Sequence, residues 1–206
     1  MHPNPAFRKA DTARNIAFAR DQGFGILAAV AEGAPLISHI PFLLSEDGAK
    51  AEFHLVRSNP IVRLLAKPLR ARIAVQGPHS YVSPDWYGVP DQVPTWNYVA
   101  VHLVGEVTRQ PQGRMRDLLD RQSAQYEAQL APKPEWQAEK MTPEVLDRMM
   151  RQIVPCEMKV TEIAGTWKLA QNKPEDVRLR AADPLQRAAL GQDATILARL
   201  MRKPPA

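Results

Sequence analysis

The chain has 206 residues, of which 45% are hydrophobic, so it can bury one sizeable core with appended helices. Its net charge is +5, but the charges are scattered, and no sustained basic stripe marks a DNA-binding surface. No apolar run approaches the roughly 18 residues that a membrane-spanning helix needs, and we expect neither a secretory signal nor a membrane role. Cys156 is the only cysteine and cannot form an intrachain disulfide, which favours a reducing, cytoplasmic location.

The first third of the chain predicts a helix followed by an antiparallel meander. Asp11 can cap a helix over 12–22, and Gly23 can adopt the left-handed conformation that ends it. Tight turns at Glu32-Gly33 and Glu46-Asp47-Gly48 then separate three short strands. The strands are predicted at 25–31, 36–44 and 50–57.

The middle of the chain predicts further helices and strands. Asn59-Pro60 begins a helix over 60–66, because asparagine caps helices and proline tolerates the first helical position. Apolar and polar residues alternate over 97–107, as in a half-buried strand, and helical spacing predicts helices over 113–130 and 143–153. Shorter strands are predicted at 71–76 and 156–163.

Six or so short strands with helices at their edges indicate a mainly β protein with flanking helices (α+β), built as a closed antiparallel barrel. Closure removes the unpaired strand edges that invite aggregation. Without an internal repeat or a long linker, one domain over 1–180 is the simplest interpretation. Residues 181–206 are expected to form a helical or partly disordered tail, with a frayed end over 203–206.

Several common catalytic and binding motifs do not occur. The sequence has no glycine-rich phosphate loop, no C-x-x-C, no H-E-x-x-H and no G-x-S-x-G. Dinucleotide-binding, zinc-hydrolase and α/β-hydrolase functions therefore lack their usual support. The strand histidines match no standard metal-ligand spacing, so no metal site and no catalytic residue are predicted; these histidines are at 39, 54, 79 and 102.

Polar and aromatic side chains cluster at the predicted strand ends instead. A purely structural loop seldom needs so much Trp, Asn, His and Arg together. The clusters are Ser38-His-Ile-Pro41, His54-Leu-Val-Arg-Ser-Asn-Pro60, Gln76-Gly-Pro-His79, Tyr81-Val-Ser-Pro-Asp-Trp-Tyr87, Val93-Pro-Thr-Trp-Asn-Tyr98 and Lys168-Leu-Ala-Gln-Asn-Lys173.

These clusters, in this order and over roughly residues 1–180, resemble the PaiB family of FMN-binding transcriptional regulators. The resemblance implies a split β-barrel of the FMN-binding type, usually a homodimer with two sites between the subunits. The chain departs from the family at Val56-Arg-Ser58, at Thr166-Trp167 and at Ala170, where alanine-arginine-alanine, lysine-phenylalanine and serine are common. These departures concern the details of the cofactor pocket rather than the fold.

The resemblance implies FMN as the cofactor. Its phosphate is doubly negative and needs cationic ligands. Arg57 is the best phosphate ligand, since its planar fork matches phosphate oxygens and stays charged. It precedes a helix start at Asn59, where free N–H groups also favour an anion. Lys168 is the second cation. The alternative for Arg57 is a surface salt bridge.

The remaining candidates would contact the ribityl chain or the flavin ring. Gln171 and Asn172 could hydrogen-bond the ribityl chain or ring edge, and Ser38 with His39 could meet the ring carbonyls. Structural alternatives stay open, such as a buried histidine or a core indole. The other candidates are His54, from the Arg57 motif, and Trp96 and Asn97, which would line the pocket or the dimer seam.

Three functions follow from these observations. The first is a flavoprotein with oxidoreductase potential, in which the cofactor carries the chemistry. The second is a negative transcriptional regulator that works as a flavin-dependent sensor or through a partner; no helix-turn-helix pattern stands out, and direct DNA contact is left open. The third, a haem-binding protein, is disfavoured because no C-x-x-C-H motif occurs.

Overall fold

The protein is described by a computed structural model, which covers residues 1–205. Its helices and strands follow one another in the order α1, β1, β2, β3, α2, β4, β5, α3, α4, β6, α5, β7 and α6. The helices are α1 (Thr12–Gln22), α2 (Pro60–Leu64), α3 (Met115–Glu127), α4 (Pro143–Met150), α5 (Glu175–Ala188) and α6 (Ala194–Arg202). The strands are β1 (Phe24–Ala29), β2 (Leu36–Leu44), β3 (Lys50–Val56), β4 (Leu69–Val82), β5 (Thr95–Arg109), β6 (Ile153–Lys168) and β7 (Gly191–Gln192).

Six of the strands form a closed antiparallel barrel, as the sequence predicted. Their order is β1-β2-β3-β6-β5-β4, and β1 pairs back with β4 to close the sheet. The closing register places Ile26 opposite Ala74 and Ala29 opposite Ala71. The two-residue strand β7 is added to β4 opposite His79 and Ser80.

Two strands are much longer than predicted. The Gly77-Pro78 dipeptide suggested a strand end, but β4 runs through it without a break. Gly77 is required for close packing rather than for a turn, because a Cβ atom there would lie 2.5 Å from the ring of Phe18. The cluster around Gln76 and His79 therefore lies inside a strand. Strand β6 likewise extends over Ile153–Lys168, well beyond the predicted 156–163.

The chain divides into two compact units. The first unit comprises Met1–Phe18, Val75–His102 and the chain from Ile163 onward, and the second comprises Ala19–Ala74 and Leu103–Glu162. Each boundary in β4, β5 and β6 falls within a continuous strand. No linker marks the division, which is why composition gave no sign of it.

The core of the first unit is covered by the C-terminal helices. Buried side chains of α5 and α6, including Leu185 and Leu197, pack into one cluster with Tyr87, Val99 and Trp167. The indole N–H of Trp167 donates a 2.8 Å hydrogen bond to the side-chain oxygen of Asn15, which is itself buried. The expected frayed end falls after α6; Ala206 lies outside the described residues.

In the second unit, helix α1 ends and strand β1 begins as the sequence predicted. The side chain of Asp11, in the first unit's segment of the chain, accepts from the Arg14 N–H and caps α1. Gly23 has a φ of +56° and donates its N–H to the Ala19 carbonyl. The Tyr126 hydroxyl of α3 donates to the Gly23 carbonyl at 2.6 Å, so the helix end is fixed from outside as well. Among the described residues, no helix is both long and apolar enough to cross a bilayer.

A buried carboxylate holds helix α3 against strand β3 in the second unit. Glu52 is only 9% exposed. Its carboxylate oxygens form ion pairs with side-chain nitrogens of Arg121 at 3.1 Å, Lys50 at 3.2 Å and Arg114 at 3.3 Å. Burial alone raises the pKa of Glu52, but the hydrogen bonds and positive charges of Arg121 and Lys50 outweigh it and hold the pKa below its usual value.

We expect Glu52→Gln to remove a pH-dependent part of the stability. A carboxylate whose pKa is lowered by folding adds stability above its unfolded pKa of about 4.3, and this stability is lost as the pH falls through the folded pKa. The variant should therefore be less stable by about 1–2 kcal/mol at neutral pH and approach the parent in acid, as the pH falls below the lowered pKa of the folded state. Urea unfolding at both pH values measures this difference. Glu46→Gln, at a fully exposed side chain, is the control; a difference that does not change with pH would contradict the assignment.

Candidate functional site

The ten candidate flavin-binding residues fall into two groups. Five lie in the second unit and five in the first. The second-unit group is Ser38, His39, His54, Arg57 and Asn59, and the first-unit group is Trp96, Asn97, Lys168, Gln171 and Asn172. Each group is described within its own unit.

Arg57 is held in place by backbone carbonyls at the end of β3. Its Nε donates to the Arg151 carbonyl at 2.8 Å, and its Nη2 donates to the Gln112 side chain at 2.9 Å and to the Ile153 carbonyl at 3.3 Å. These bonds use the Nε–Nη2 edge of the guanidinium and, among the described residues, leave both Nη1 donors without a partner. Because no carboxylate of residues 1–205 pairs with this exposed side chain, its positive charge is available to an anion.

Asn59 links the start of α2 to strand β2. Its side-chain oxygen accepts from the Ile61 N–H at 2.9 Å, and its amide donates to the Ser38 hydroxyl at 3.1 Å. Helix α2 has only five residues, and its first N–H groups are removed by Pro60 or capped by Asn59 itself. The N–H groups expected to favour an anion at this helix start are therefore largely used, which leaves the guanidinium of Arg57 as the candidate anion-binding group of this motif.

The two histidines of the second-unit group have different surroundings. His39 is exposed, and its ring stacks at 6.4 Å on the exposed ring of Phe24. His54 is half-buried on β3; burial lowers its pKa, and a hydrogen bond with Gln122 of α3 opposes this shift. His39 can therefore reach a ligand directly, whereas His54 packs against α3.

In the first unit, Lys168 and Trp96 have separate neighbours at the start of β5. The Lys168 ammonium donates to the Thr95 hydroxyl, next to Trp96 in β5, and burial lowers the pKa of Lys168. The Trp96 indole is 49% exposed, and its neighbours are the rings of His79 at 6.0 Å and Tyr81 at 6.3 Å. This arrangement leaves an indole face open to a flat ligand.

The other three residues of the first-unit group differ in accessibility. Asn97 is 1% exposed, and its amide contacts the sulfur of Met201 in α6 at 3.4 Å. Gln171 closes its own turn, since its amide donates to the Trp167 carbonyl and its oxygen accepts from the Leu169 N–H. Asn172 is exposed. Asn97 is thus buried under the C-terminal helix, and Gln171 uses both ends of its side chain within the turn.

Sequence reasoning missed three residues that shape these groups. Gln112 anchors Arg57 from 55 positions away, and its own amide donates to the Met150 carbonyl at 2.8 Å. Thr95 holds Lys168, and Met201 covers Asn97. Gln112 and Met201 belong to no motif, and Thr95 lies in the cluster over 93–98 but was not chosen as a candidate. Only the tertiary pairing of distant segments shows what these three side chains contact.

The residues present fit a flavin mononucleotide. The observation that supports this fit is the anchored, unpaired guanidinium of Arg57, whose Nη1 donors suit the oxygens of a phosphate. The Ser38–Asn59 pair adds hydroxyl and amide groups beside the same turn. Among residues 1–205, no group of three or more His, Cys, Asp or Glu side chains is placed to hold a metal ion.

A closed six-stranded antiparallel barrel with an exposed arginine at a strand end is the architecture of the flavin-binding split barrels. The family comparison agrees: residues 1–162 match the model of the family described as "Putative FMN-binding domain". The chain belongs to this family, and FMN is the cofactor that its domain binds.

The chain is also similar to a curated relative and to solved structures. It is 29% identical over 185 residues to the protease synthase and sporulation protein PAI 2 of Bacillus subtilis, with 88% of each chain covered. The structure of the FAD and haem binding protein from Mycobacterium smegmatis matches with a TM-score of 0.56, 14% identity and coverage of 79% of this chain and 73% of that one. The flavocytochrome Anf3 from Azotobacter vinelandii matches with a TM-score of 0.52, 11% identity and coverage of 81% and 72%. These two structures support the barrel fold.

Proposed function

We propose that this protein is a PaiB-like, FMN-dependent negative transcriptional regulator that senses the state of its flavin and acts through a partner. The observation that carries the proposal is the anchored guanidinium of Arg57, which offers a fixed positive charge to the phosphate. The sporulation protein of Bacillus subtilis supports the regulatory part by its similarity over most of both chains. When bound, the flavin supplies the electron-transfer chemistry, and the protein supplies position and electrostatics.

In this proposal, the second unit binds the phosphate end of FMN. Arg57 pairs with the phosphate through Nη1, while its other edge stays on the carbonyls of Arg151 and Ile153. The Ser38 hydroxyl and the Asn59 amide hydrogen-bond the polar chain beside it. His39 meets the ring edge.

We further propose that the protein is a homodimer that uses the outer face of β1 and β2. The register pairs Phe24 with Pro41, Ile26 with His39 and Ala28 with Ile37, so these side chains share one face. Phe24 is 54% exposed and Ile37 is 61% exposed. An apolar face of this kind on an antiparallel strand pair favours association with a second copy. His39 on the same face would place the flavin ring at the dimer contact.

The double variant Phe24→Glu/Ile37→Glu should convert the dimer to a monomer. Two carboxylates on each side of a symmetric contact repel one another and lose their hydration, which costs several kcal/mol. Sedimentation velocity at a fixed concentration measures the change in mass. Val93→Glu/Leu190→Glu, at two exposed apolar side chains of the first unit, is the matched control. A parent chain that sediments as a monomer would contradict the proposed interface.

The regulatory role is tested by measuring DNA binding and redox activity separately from flavin binding. We expect purified protein to bind FMN with quenching of flavin fluorescence, and to give no tight, sequence-selective shift of promoter DNA on its own. A selective shift by the protein alone would mean that the protein binds promoter DNA directly and not through a partner. Sustained turnover of a reduced nicotinamide with the bound flavin would instead favour the oxidoreductase function.

A further inference from the structure

The second unit contains an apolar cavity that the flavin proposal does not use. The cavity has a volume of about 310 Å³ and lies between α3, α4, the end of β3 and the segment 136–141. Methionine, leucine and tryptophan side chains form most of its wall. Its apolar lining residues are Val56, Leu119, Trp136, Ala138, Met141, Leu146, Met149, Met150 and Ile153.

This cavity has the size and composition of a small-molecule site. Ligand pockets begin at about 300 Å³ and are mostly apolar with a few polar groups. Here the uncharged polar groups are Ser123 of α3 and Gln152 beside β6, and the charged groups are Arg116 and Asp120 of α3. Three methionines give the wall a flexible, polarisable surface that adapts to different apolar shapes. Met149 and Val56 are both more than half exposed, so the cavity opens to solvent.

Carboxylates outnumber basic groups beside the cavity. Arg116, on the wall, is shared by two carboxylates, because its Nε donates to Asp120 at 2.7 Å and its Nη2 donates to Glu139. A second cavity, of about 360 Å³, shares Asp120, Ser123, Trp136 and Ala138 with the first. Its lining includes three carboxylates, from Asp120, Glu135 and Glu139, and no basic side chain.

Trp136 lies between the apolar and the acidic cavities, since it lines both. An indole face attracts cations, and most strongly when carboxylates stand nearby and water is partly excluded. A molecule with a flat apolar body and a positive charge at one end would place the body among the methionines. Its charge would then lie beside Trp136 and the carboxylates. An organic anion would meet the same carboxylates and be repelled.

We propose that these two cavities, which share four lining residues, form a binding site for small hydrophobic organic cations. The site adjoins the anchor of Arg57 through Ile153 but uses none of the ten candidate flavin-binding residues. The site recognises its ligand by an apolar wall from α3 and α4, by the ring of Trp136 and by the carboxylates of Glu135 and Glu139. Its ligand class is a planar aromatic or short aliphatic body with a tertiary or quaternary ammonium group. This inference does not depend on FMN binding.

The test compares three fluorescent probes of similar size on the full chain, with and without added FMN. The probes are the cation berberine, the neutral N-phenyl-1-naphthylamine and the anion 8-anilinonaphthalene-1-sulfonate, all of which brighten in an apolar site. We expect berberine to bind at least about tenfold more tightly than the anion, on the scale of one or two unscreened charge contacts. Added FMN should not displace it. Equal or tighter binding of the anion would overturn the proposal.

Two variants locate the binding. Ser123→Phe fills the cavity from α3 and should weaken berberine and the neutral probe by at least about tenfold. Glu139→Gln should weaken berberine by about threefold to tenfold and leave the neutral probe unchanged, since it removes a negative charge and leaves Arg116 paired with Asp120 alone. Glu144→Gln, at an exposed carboxylate of α4 outside both cavities, is the control. Berberine binding that survives Ser123→Phe, or a neutral probe that responds to Glu139→Gln as strongly as berberine, would place the binding elsewhere and overturn the assignment.

Discussion

We expect Arg57→Ala to lower the affinity for FMN by about tenfold to a hundredfold. Each hydrogen bond between a guanidinium and a phosphate is worth about 1.5–3 kcal/mol, and a factor of ten in affinity corresponds to about 1.4 kcal/mol. Only Nη1 of Arg57 is open to the phosphate, because Nε and Nη2 are bonded to Arg151, Ile153 and Gln112. The expected loss is therefore smaller than a fully bidentate contact would give. Titration followed by flavin fluorescence measures it.

Two further variants separate charge from anchoring. Arg57→Lys keeps the positive charge but cannot bond Arg151 and Ile153 while also facing the ligand, so it should recover part of the affinity. Arg63→Ala removes another exposed cation, in the last turn of α2, and should change nothing. Equal affinity for FMN in the parent and in Arg57→Ala would contradict this assignment. The phosphate would then be assigned to another cation, and Lys168 would be tested first.

The elements that local chemistry specifies were predictable from the sequence. Helix α1 begins after Asp11 and ends at Gly23 because capping and a left-handed glycine act over a few residues. The lengths of β4 and β6 were not predictable in this way. At Gly77, glycine usually signals a turn, but here it makes room for Phe18, which lies 59 positions earlier in the sequence. Only the tertiary neighbour distinguishes these two uses of glycine.

The candidate site shows the same division between local and distant causes. The motif around Arg57 and Asn59 could be found because its residues are consecutive and of a type that suits a phosphate. The fixed orientation of the guanidinium depends on Gln112 and on two carbonyls about 95 residues away, which no spacing rule reveals. The burial of Asn97 depends on Met201 in a helix that composition alone left as a helical or disordered tail. The sequence could therefore identify candidate residues by their chemical type. It could not show which of them are accessible to a ligand.

Gly105 of β5, in the second unit, lies against the backbone of β6. A Cβ atom on this residue would lie 2.1 Å from the carbonyl oxygen of Lys159 and 2.8 Å from its carbonyl carbon. Both atoms belong to the backbone of β6, so no side-chain rotation can relieve the contact. The glycine is required here by the space between two paired strands and not by an unusual φ angle.

Gly105→Ala should consequently destabilise the protein by about 3 kcal/mol, the upper part of the range for overpacking in a rigid core. For a chain of this length, such a loss lowers the melting temperature by about 6–12 °C. Thermal and urea unfolding of the full chain measure it, with Gly113→Ala as the control, because a Cβ atom at Gly113 meets nothing within 4 Å. That control should be neutral or slightly stabilising. Similar melting temperatures for both alanine variants would mean that β5 and β6 can separate at Gly105 without cost, which the barrel pairing does not allow.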